Sequence, residues 1–159
     1  MQEWEQKKEV NGEAIAKNIM EMSKLKVPII CIVIGEGSSG GALALAVGDK
    51  ILMLENSVYS ILSPEGFASI LYKNSSRSEE AAEKMKITSK DLKEMGIIDE
   101  IVKEPLGGAH KNIEKMCQTL KKSIENNLKE LEKYSETELL ELRYIKFRTI
   151  GNFAISENK

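Results

Sequence analysis

The stretch Val27–Lys50, VPIICIVIGEGSSGGALALAVGDK, decides how this chain folds. Ile29 to Ile34 is an unbroken apolar run of strand length, which predicts a strand buried on both faces, as in a parallel sheet. Ala42 to Val47 is apolar again and reads as a helix. Between them, the seven positions Gly35-Glu36-Gly37-Ser38-Ser39-Gly40-Gly41 hold four glycines and two serines. Such a turn lets the backbone come close to a ligand and take dihedrals that a Cβ forbids. The first amides of the following helix lack an acceptor within it, so they can face an anion or an oxygen that gains negative charge during a reaction.

On the N-terminal side, residues 1–10 show no apolar periodicity and read as a polar extension. From Asn11, taken as a helix cap, Ile15, Ile19, Met22 and Leu25 recur at helical spacing. This helix ends before Val27-Pro28, because the residue preceding a proline is pushed out of the α region. Helix, buried strand and helix in succession are an α/β signature. On the C-terminal side, Ile51–Leu54 and Val58–Leu62 read as strands joined by a turn at Glu55-Asn56. Ser63-Pro64-Glu65 then supplies a cap, a first helical position and a first-turn acid. Asn74–Ser76 breaks that helix, and Ser78-Glu79-Glu80 opens another that runs to about Met85. Thr88 with Asp91 resembles a capping box, its short helix closing at Gly96, and Ile97–Val102 is a strand. After the loop Glu104–His110 come two helices. Ile113, Met116, Cys117, Leu120, Ile124, Leu128 and Leu131 form the apolar stripe of the first. Ser135 and Glu138 cap the second, which carries Leu139, Leu142, Ile145 and Phe147. The expected organisation is an extension over 1–10, an α/β core over 11–104, a helical region over 105–150 and a polar tail over 151–159.

At 159 residues the chain has the size of one domain. A net charge of -2 with mixed signs argues against a nucleic-acid surface, and an aromatic content of 5% leaves little for base stacking. Cys31 and Cys117 are spaced for neither zinc nor a disulfide framework and read as core filler in a reducing compartment. No leader pattern or membrane span is read, since Val27–Gly48 carries Glu36, Pro28 and the glycine-serine cluster.

For the glycine segment, the bland reading is a tight connection between strand and helix. A phosphate-binding P-loop needs a lysine followed by Ser or Thr, but Gly41 is followed by Ala42-Leu43. Gly35, Gly37 and Gly40 satisfy GxGxxG, without a convincing acid about twenty residues on. Ser38 and Ser39 are read as lying outside a GxSxG nucleophile elbow, and the only histidine, His110, sits in a remote loop. Backbone donation to an acyl or ureido oxygen remains the best functional reading. Ser63, Pro64, Glu65 and Gly66 mark a helix start and, as a second role, a wall facing the turn. Glu36 and His110 read as solvated loop residues, and Lys73, Arg77 and Lys111 are available for acidic groups such as coenzyme phosphates. Neither an acid/base carboxylate pair nor a metal cluster is read from the sequence.

Three blocks carry a resemblance: EAIAKNIMEMSKLKVPIICIVIGEGSSGGALALAVGDKILMLENSVYSILSPEGFASILYK, LKEMGIIDEIVKEPLGGAHKN and the helical tail after it. From about Glu13 to about Phe147 the chain resembles the carboxyltransferase alpha subunits of bacterial and plastid acetyl-coenzyme A carboxylase. The resemblance implies a ClpP/crotonase-like fold of class α/β, here partial, built of ββα units with a C-terminal helical tail. It implies transfer of a carboxyl group from carboxybiotin, carried on biotin carboxyl carrier protein, to acetyl-CoA, giving malonyl-CoA for fatty-acid synthesis in the cytoplasm. The partners implied are a carboxyltransferase beta subunit bearing the coenzyme A side and a zinc ribbon, the carrier protein and, in the wider complex, biotin carboxylase. No metal is implied in this chain, and neither nucleic acid nor membrane is expected as a partner.

Carried over residue by residue, Gly37, Ser38, Ser39, Gly40 and Gly41 would provide the backbone oxyanion hole for the ureido oxygen. Gly40, Gly41, Ser63, Pro64, Glu65 and Gly66 would line the biotin side. Two departures stand out. Ser38 replaces a glycine of the family's EGGSGG, a cost if that position needs positive φ. The chain also matches only the C-terminal half of an alpha subunit, so it is expected to be inactive with a beta subunit alone. The rival readings are a crotonase-like acyl-CoA hydratase or isomerase using Glu65 as acid/base, and a partner-binding fragment without catalysis.

Overall fold

The structure, a computed structural model, describes residues 2–45 and 47–151, with side chains for 12–40, 42, 43 and 47–151. Its elements are α1 (Gln2–Ser23), β1 (Ile30–Val33), β2 (Glu36–Ser38), α2 (Ser39–Leu45), β3 (Lys50–Leu54) and β4 (Val58–Ser60). They continue with α3 (Pro64–Leu71), α4 (Ser78–Met85), α5 (Ser89–Glu94), β5 (Glu100–Val102), α6 (Ile113–Leu131) and α7 (Glu136–Thr149). Two ββα units follow one another, β1-β2-α2 and β3-β4-α3. The first strand of each joins β5 in a parallel sheet of order β1-β3-β5, and the second strands form a parallel pair, β2-β4.

β3 is the hub because it is the central strand and every side chain from Ile51 to Leu54 is buried. Alternation along the strand splits them between two faces. Ile51 and Met53 pack with Leu92 and Ile98 beneath α5, whereas Leu52 and Leu54 pack with Val102 and with Met116 of α6. Each such side chain contributes roughly 1.5–3 kcal/mol by leaving water.

Polar devices fix the strand ends. Asp49 precedes β3, and its Oδ2 accepts from Ile29 N at 2.7 Å while its own N donates to Ile29 O at 2.9 Å. Asp99 repeats the arrangement one strand later, with Oδ2 accepting from Ile51 N at 2.6 Å and its N donating to Ile51 O at 2.8 Å. Both aspartates are answered from α7. Arg143 donates to Asp49 through Nε and Nη2, each at 2.8 Å, and Lys146 pairs with Asp99. Arg143 Nη1 and Nη2 also donate to the carbonyls of Met22, Ser23, Leu25 and Val27, closing the C-terminal end of α1.

Several sequence expectations shift. α1 begins at Gln2, so residues 2–10 are helical and Asn11 lies inside the helix. β1 is half-buried along its length instead of covered on both faces, and it is one of the two edge strands of its sheet. β4 stops at Ser60, leaving Ile61 exposed, and β5 begins only at Glu100. Cys117 is exposed and Cys31 half-buried, so neither is fully enclosed core filler. On α6 the inward face is Met116, Ser123, Asn127 and Leu131, while Ile113 and Cys117 face outward. The two polar residues face Glu100 of β5: Ser123 Oγ donates to its Oε1, and Asn127 Nδ2 donates to its Oε2 at 2.6 Å. Met116, Leu120 and Leu131 of the expected stripe still pack inward, and Ser123 and Asn127 join them to satisfy this half-buried carboxylate. The caps at Ser63, Thr88 and Ser135 form as expected, the last as a full capping box with Glu138, and Asn74, read as a break, caps a short 3-10 turn. The expected tail beyond Gly151 lies outside the described residues.

Candidate active site

The glycine segment is not a turn followed by a helix at Ala42. Glu36, Gly37 and Ser38 pair in register with Val58, Tyr59 and Ser60, and α2 starts directly at Ser39. The change of direction falls on one residue. Ser39 has φ +61, one of three non-glycine residues at positive φ among the described residues. The strained position is therefore Ser39, and Ser38, where a cost was expected if it needed positive φ, sits in a strand outside that region. A side chain in the left-handed region costs about 1–2 kcal/mol, a strain that concentrates at functional sites.

Gly37 is required for a different reason. A Cβ there would stand 2.8 Å from Tyr59 Cδ2, closer than real Cβ contacts come, and a tight 3.3 Å from Val33 Cγ1. At Gly40, by contrast, the nearest atom to a Cβ is Ile15 Cδ1 at 3.8 Å, an ordinary contact. Packing does not explain a glycine at position 40, whereas a ligand approaching the backbone would.

Ser39 and Gly40 lie at the edge of a cavity of about 560 Å³, roofed by the segments after β4, α4 and α5. Its walls are mainly apolar, including Leu43, Ile61, Phe67, Met85 and Ile87, with Lys84 and Lys86 at its border. This size suits a small ligand, and an apolar body with one polar end is the usual composition of such a site. Ser39, Gly40 and Gly41 form the first turn of α2, whose amides have no intrahelical acceptor.

The structure does not gather every expected residue here. Ser63, Pro64, Glu65 and Gly66 build the start of α3, where Ser63 Oγ accepts from Gly66 N at 3.2 Å. Among the described residues it is Phe67 of that helix that lines the cavity. Glu65 is exposed at the first turn of α3 and absent from the cavity wall, which removes the support for an acid/base role. Arg77 stacks on the Tyr72 ring at 4.1 Å and donates from Nε to Glu80 at 2.9 Å. His110 is exposed, and Glu104 orders its loop, Oε2 accepting from Ala109 N at 2.7 Å and Oε1 from Asn56 N at 2.8 Å. Among the described residues no group of His, Cys, Asp and Glu is placed to hold a metal, and no helix is long and apolar enough to cross a membrane.

Residues 3–151 match the family model described as acetyl co-enzyme A carboxylase carboxyltransferase-like. This chain belongs to that carboxyltransferase family. It is 62% identical over 140 residues to the acetyl-coenzyme A carboxylase carboxyl transferase subunit alpha of Clostridium botulinum, covering 88% of this chain and 51% of the relative. The same subunit of Clostridium beijerinckii is 63% identical over 142 residues, covering 89% and 52%. The chain thus spans about half the length of the curated relatives it matches. Among solved structures, a Pseudomonas malonate decarboxylase hetero-tetramer superposes with a TM-score of 0.67 at 15% identity, over 83% of this chain and 52% of that one. The architecture is the crotonase-like carboxyltransferase fold of class α/β.

Within this carboxyltransferase-family chain, two features escaped the sequence reading. The spacing GxSxG is present as Gly37-Ser38-Ser39-Gly40-Gly41 with Ser39 at its centre, and Ser39 holds the strand-to-helix position with positive φ that such a frame demands. Among the described residues no histidine lines its cavity. Tyr59 was read only as a strand residue, although it stands opposite Gly37 and lines the cavity. A glycine paired with an aromatic one strand away was the available signal.

Proposed function

We propose that this chain supplies the biotin side of an acetyl-CoA carboxylase carboxyltransferase site, which moves a carboxyl group from carboxybiotin on a carrier protein to acetyl-CoA. The observation that carries this reading is Ser39-Gly40: a strained residue and a sterically unneeded glycine at the mouth of an apolar cavity, in a chain of this family. Biotin fits the residues present in kind, because its ureido group is polar and the rest of its bicycle and side arm are apolar, like the cavity. When bound, it supplies a carboxyl group on a ureido nitrogen.

The amides of the segment 37–41 would hold the ureido oxygen of a bound biotin and would stabilise the negative charge that loss of its carboxyl group places there. Two fixed donors there lower the barrier because they need not reorient as the charge develops. The apolar walls, among them Leu43, Phe67 and Met85, exclude water and strengthen those hydrogen bonds. Acetyl-CoA is held by a beta subunit, with biotin carboxylase recharging the carrier in the wider complex.

Because the chain spans about half of its relatives, the proposal includes a need for the remaining alpha-subunit length. The test is malonyl-CoA formation from acetyl-CoA and carboxylated carrier protein, with a beta subunit, in the presence and absence of a polypeptide carrying the other half of an alpha subunit. Turnover is expected only in the complemented mixture. A complemented mixture that stays inactive while a full-length relative turns over would refute the reading.

A further inference from the structure

Tyr59 stands where the candidate site meets a second cavity. The first cavity, edged by Ser39 and Gly40, and a second of about 540 Å³ along β1 both have Tyr59 in their walls. Its ring is half-buried, and burial pushes its phenol above the ordinary range. In the β2-β4 pair Tyr59 is the register partner of Gly37, and Cδ2 lies so close to Gly37 that only a hydrogen fits between them. The ring therefore presses directly on the backbone of β2.

The strand bearing that ring is held from behind. Tyr59 N donates to Ile87 O at 3.1 Å, Val58 N donates to Gly35 O at 2.9 Å, and Val58 bridges to Thr88. Buried Ser89 ties the same neighbourhood down by donating to Glu55 O at 2.7 Å. β2 itself has only three residues and one described partner strand, and its last residue is followed at once by Ser39 at φ +61. The ladder to β4 holds β2 in the plane of the pair, and the Tyr59 ring is what covers its Gly37 on the face of that pair.

We propose that Tyr59 is a positioning residue, its ring serving as the platform that sets Gly37 and, two residues on, the direction of the Ser39 and Gly40 amides. The inference rests on the reading of those amides as an oxyanion hole, and it assigns the work to the ring rather than to the hydroxyl. A misplacement of the donors by about 1 Å costs on the order of 10²-fold in rate. The contact is also reciprocal: a methyl group at position 37 meets the ring, so removing the ring makes room for it.

The experiment uses the complemented carboxyltransferase assembly with Tyr59→Phe, Tyr59→Ala, Gly37→Ala and the double variant Gly37→Ala/Tyr59→Ala. Tyr59→Phe should keep kcat within about twofold, whereas Tyr59→Ala and Gly37→Ala should each lower kcat about 10²-fold with KM for acetyl-CoA nearly unchanged. The double variant should be no slower than Gly37→Ala alone. A Tyr59→Ala assembly with parental kcat, a loss carried by KM, an equal loss in Tyr59→Phe, or losses that multiply in the double variant would each overturn the proposal. If the parent assembly makes no malonyl-CoA, the functional reading fails separately, and NMR of this chain then decides the positioning role. The Ser39 13Cα and 13Cβ shifts, which report its φ, should move in Tyr59→Ala and stay in Tyr59→Phe. Unmoved shifts in Tyr59→Ala would overturn it.

Discussion

Replacing Arg143 with methionine should be the most damaging single change outside the site. Arg143 and Asp49 are both buried, at 3% and 9% exposure. The guanidinium makes two charge-assisted bonds to Asp49 at 2.8 Å and four contacts to carbonyls at 2.8–3.3 Å. A buried pair that replaces water on both ions contributes little net stability, but removing one member strands the other, at a cost of about 3–5 kcal/mol. Here the substitution leaves Asp49 charged beside Ile29 N and strips the end of α1 of its donor. For a chain of this length about 2–4 °C of Tm accompanies each kcal/mol, so a drop of about 10 °C is expected. Thermal unfolding followed by circular dichroism reads it directly. Arg143→Lys should lose less, keeping charge without the forked geometry. Arg143→Met combined with Asp49→Asn should lose less than the sum of the single changes. A loss below about 1 kcal/mol in Arg143→Met would show that the pair is solvated and that the account of α7 as the clamp on α1 and β3 is wrong.

Gly40→Ala should fold as well as the parent or better, since a Cβ has room beside Ile15 and alanine favours a helix by up to about 1 kcal/mol. The same variant should lose malonyl-CoA formation in the complemented assembly, a separation of stability from turnover visible by comparing Tm with kcat. Lys86, at φ +54 at the C-cap of α4, should tolerate Lys86→Gly with a gain of about 0.5–1 kcal/mol, measured by urea unfolding. The Glu104 carboxyl is pushed up by burial, but hydrogen bonds from Asn56 and Ala109 outweigh this and hold it below its ordinary value of 4.5. A lowered folded-state pKa contributes stability that is complete above the unfolded value and disappears as pH falls through the folded one. Thermal unfolding from pH 7 down to 3 should therefore show Glu104→Gln with a lower Tm near neutrality and a shallower decline below about pH 4.5.

The ββα order was legible because its signals are local. Ser63-Pro64-Glu65, Thr88 with Asp91, and Ser135 with Glu138 each specify a helix start within four residues, and each cap forms. β3 was legible because an apolar segment flanked by Asp49 and Glu55-Asn56 has one place to go. What failed depended on partners far away in sequence. β1 carries the composition of a central strand, yet its burial depends on what lies beyond its open edge. The inward place of Ser123 and Asn127 on α6 depends on Glu100, and Arg143 looked like one more charge on a polar helix until Asp49, 94 positions earlier, met it. The repeated pattern Asp49-Lys50-Ile51 and Asp99-Glu100-Ile101 was the one sequence hint that these acids do the same work.

The site was located from its glycines, but its geometry was not. Glycine count gave the position of a backbone that could approach a ligand, and the resemblance put a cost at Ser38 on the condition that it needs positive φ. Strain instead falls on Ser39, because β2 must pair through Ser38 before the chain can turn into α2. This division gives the neighbouring positions separate duties. Gly37 is small so that Tyr59 can lie against it, Ser39 absorbs the turn, and Gly40 is small although the fold leaves room for a methyl group. Packing accounts for the first and strand pairing for the second. The third has no such reason within these contacts, and at the start of α2, on the cavity wall, a ligand approaching the backbone would supply one.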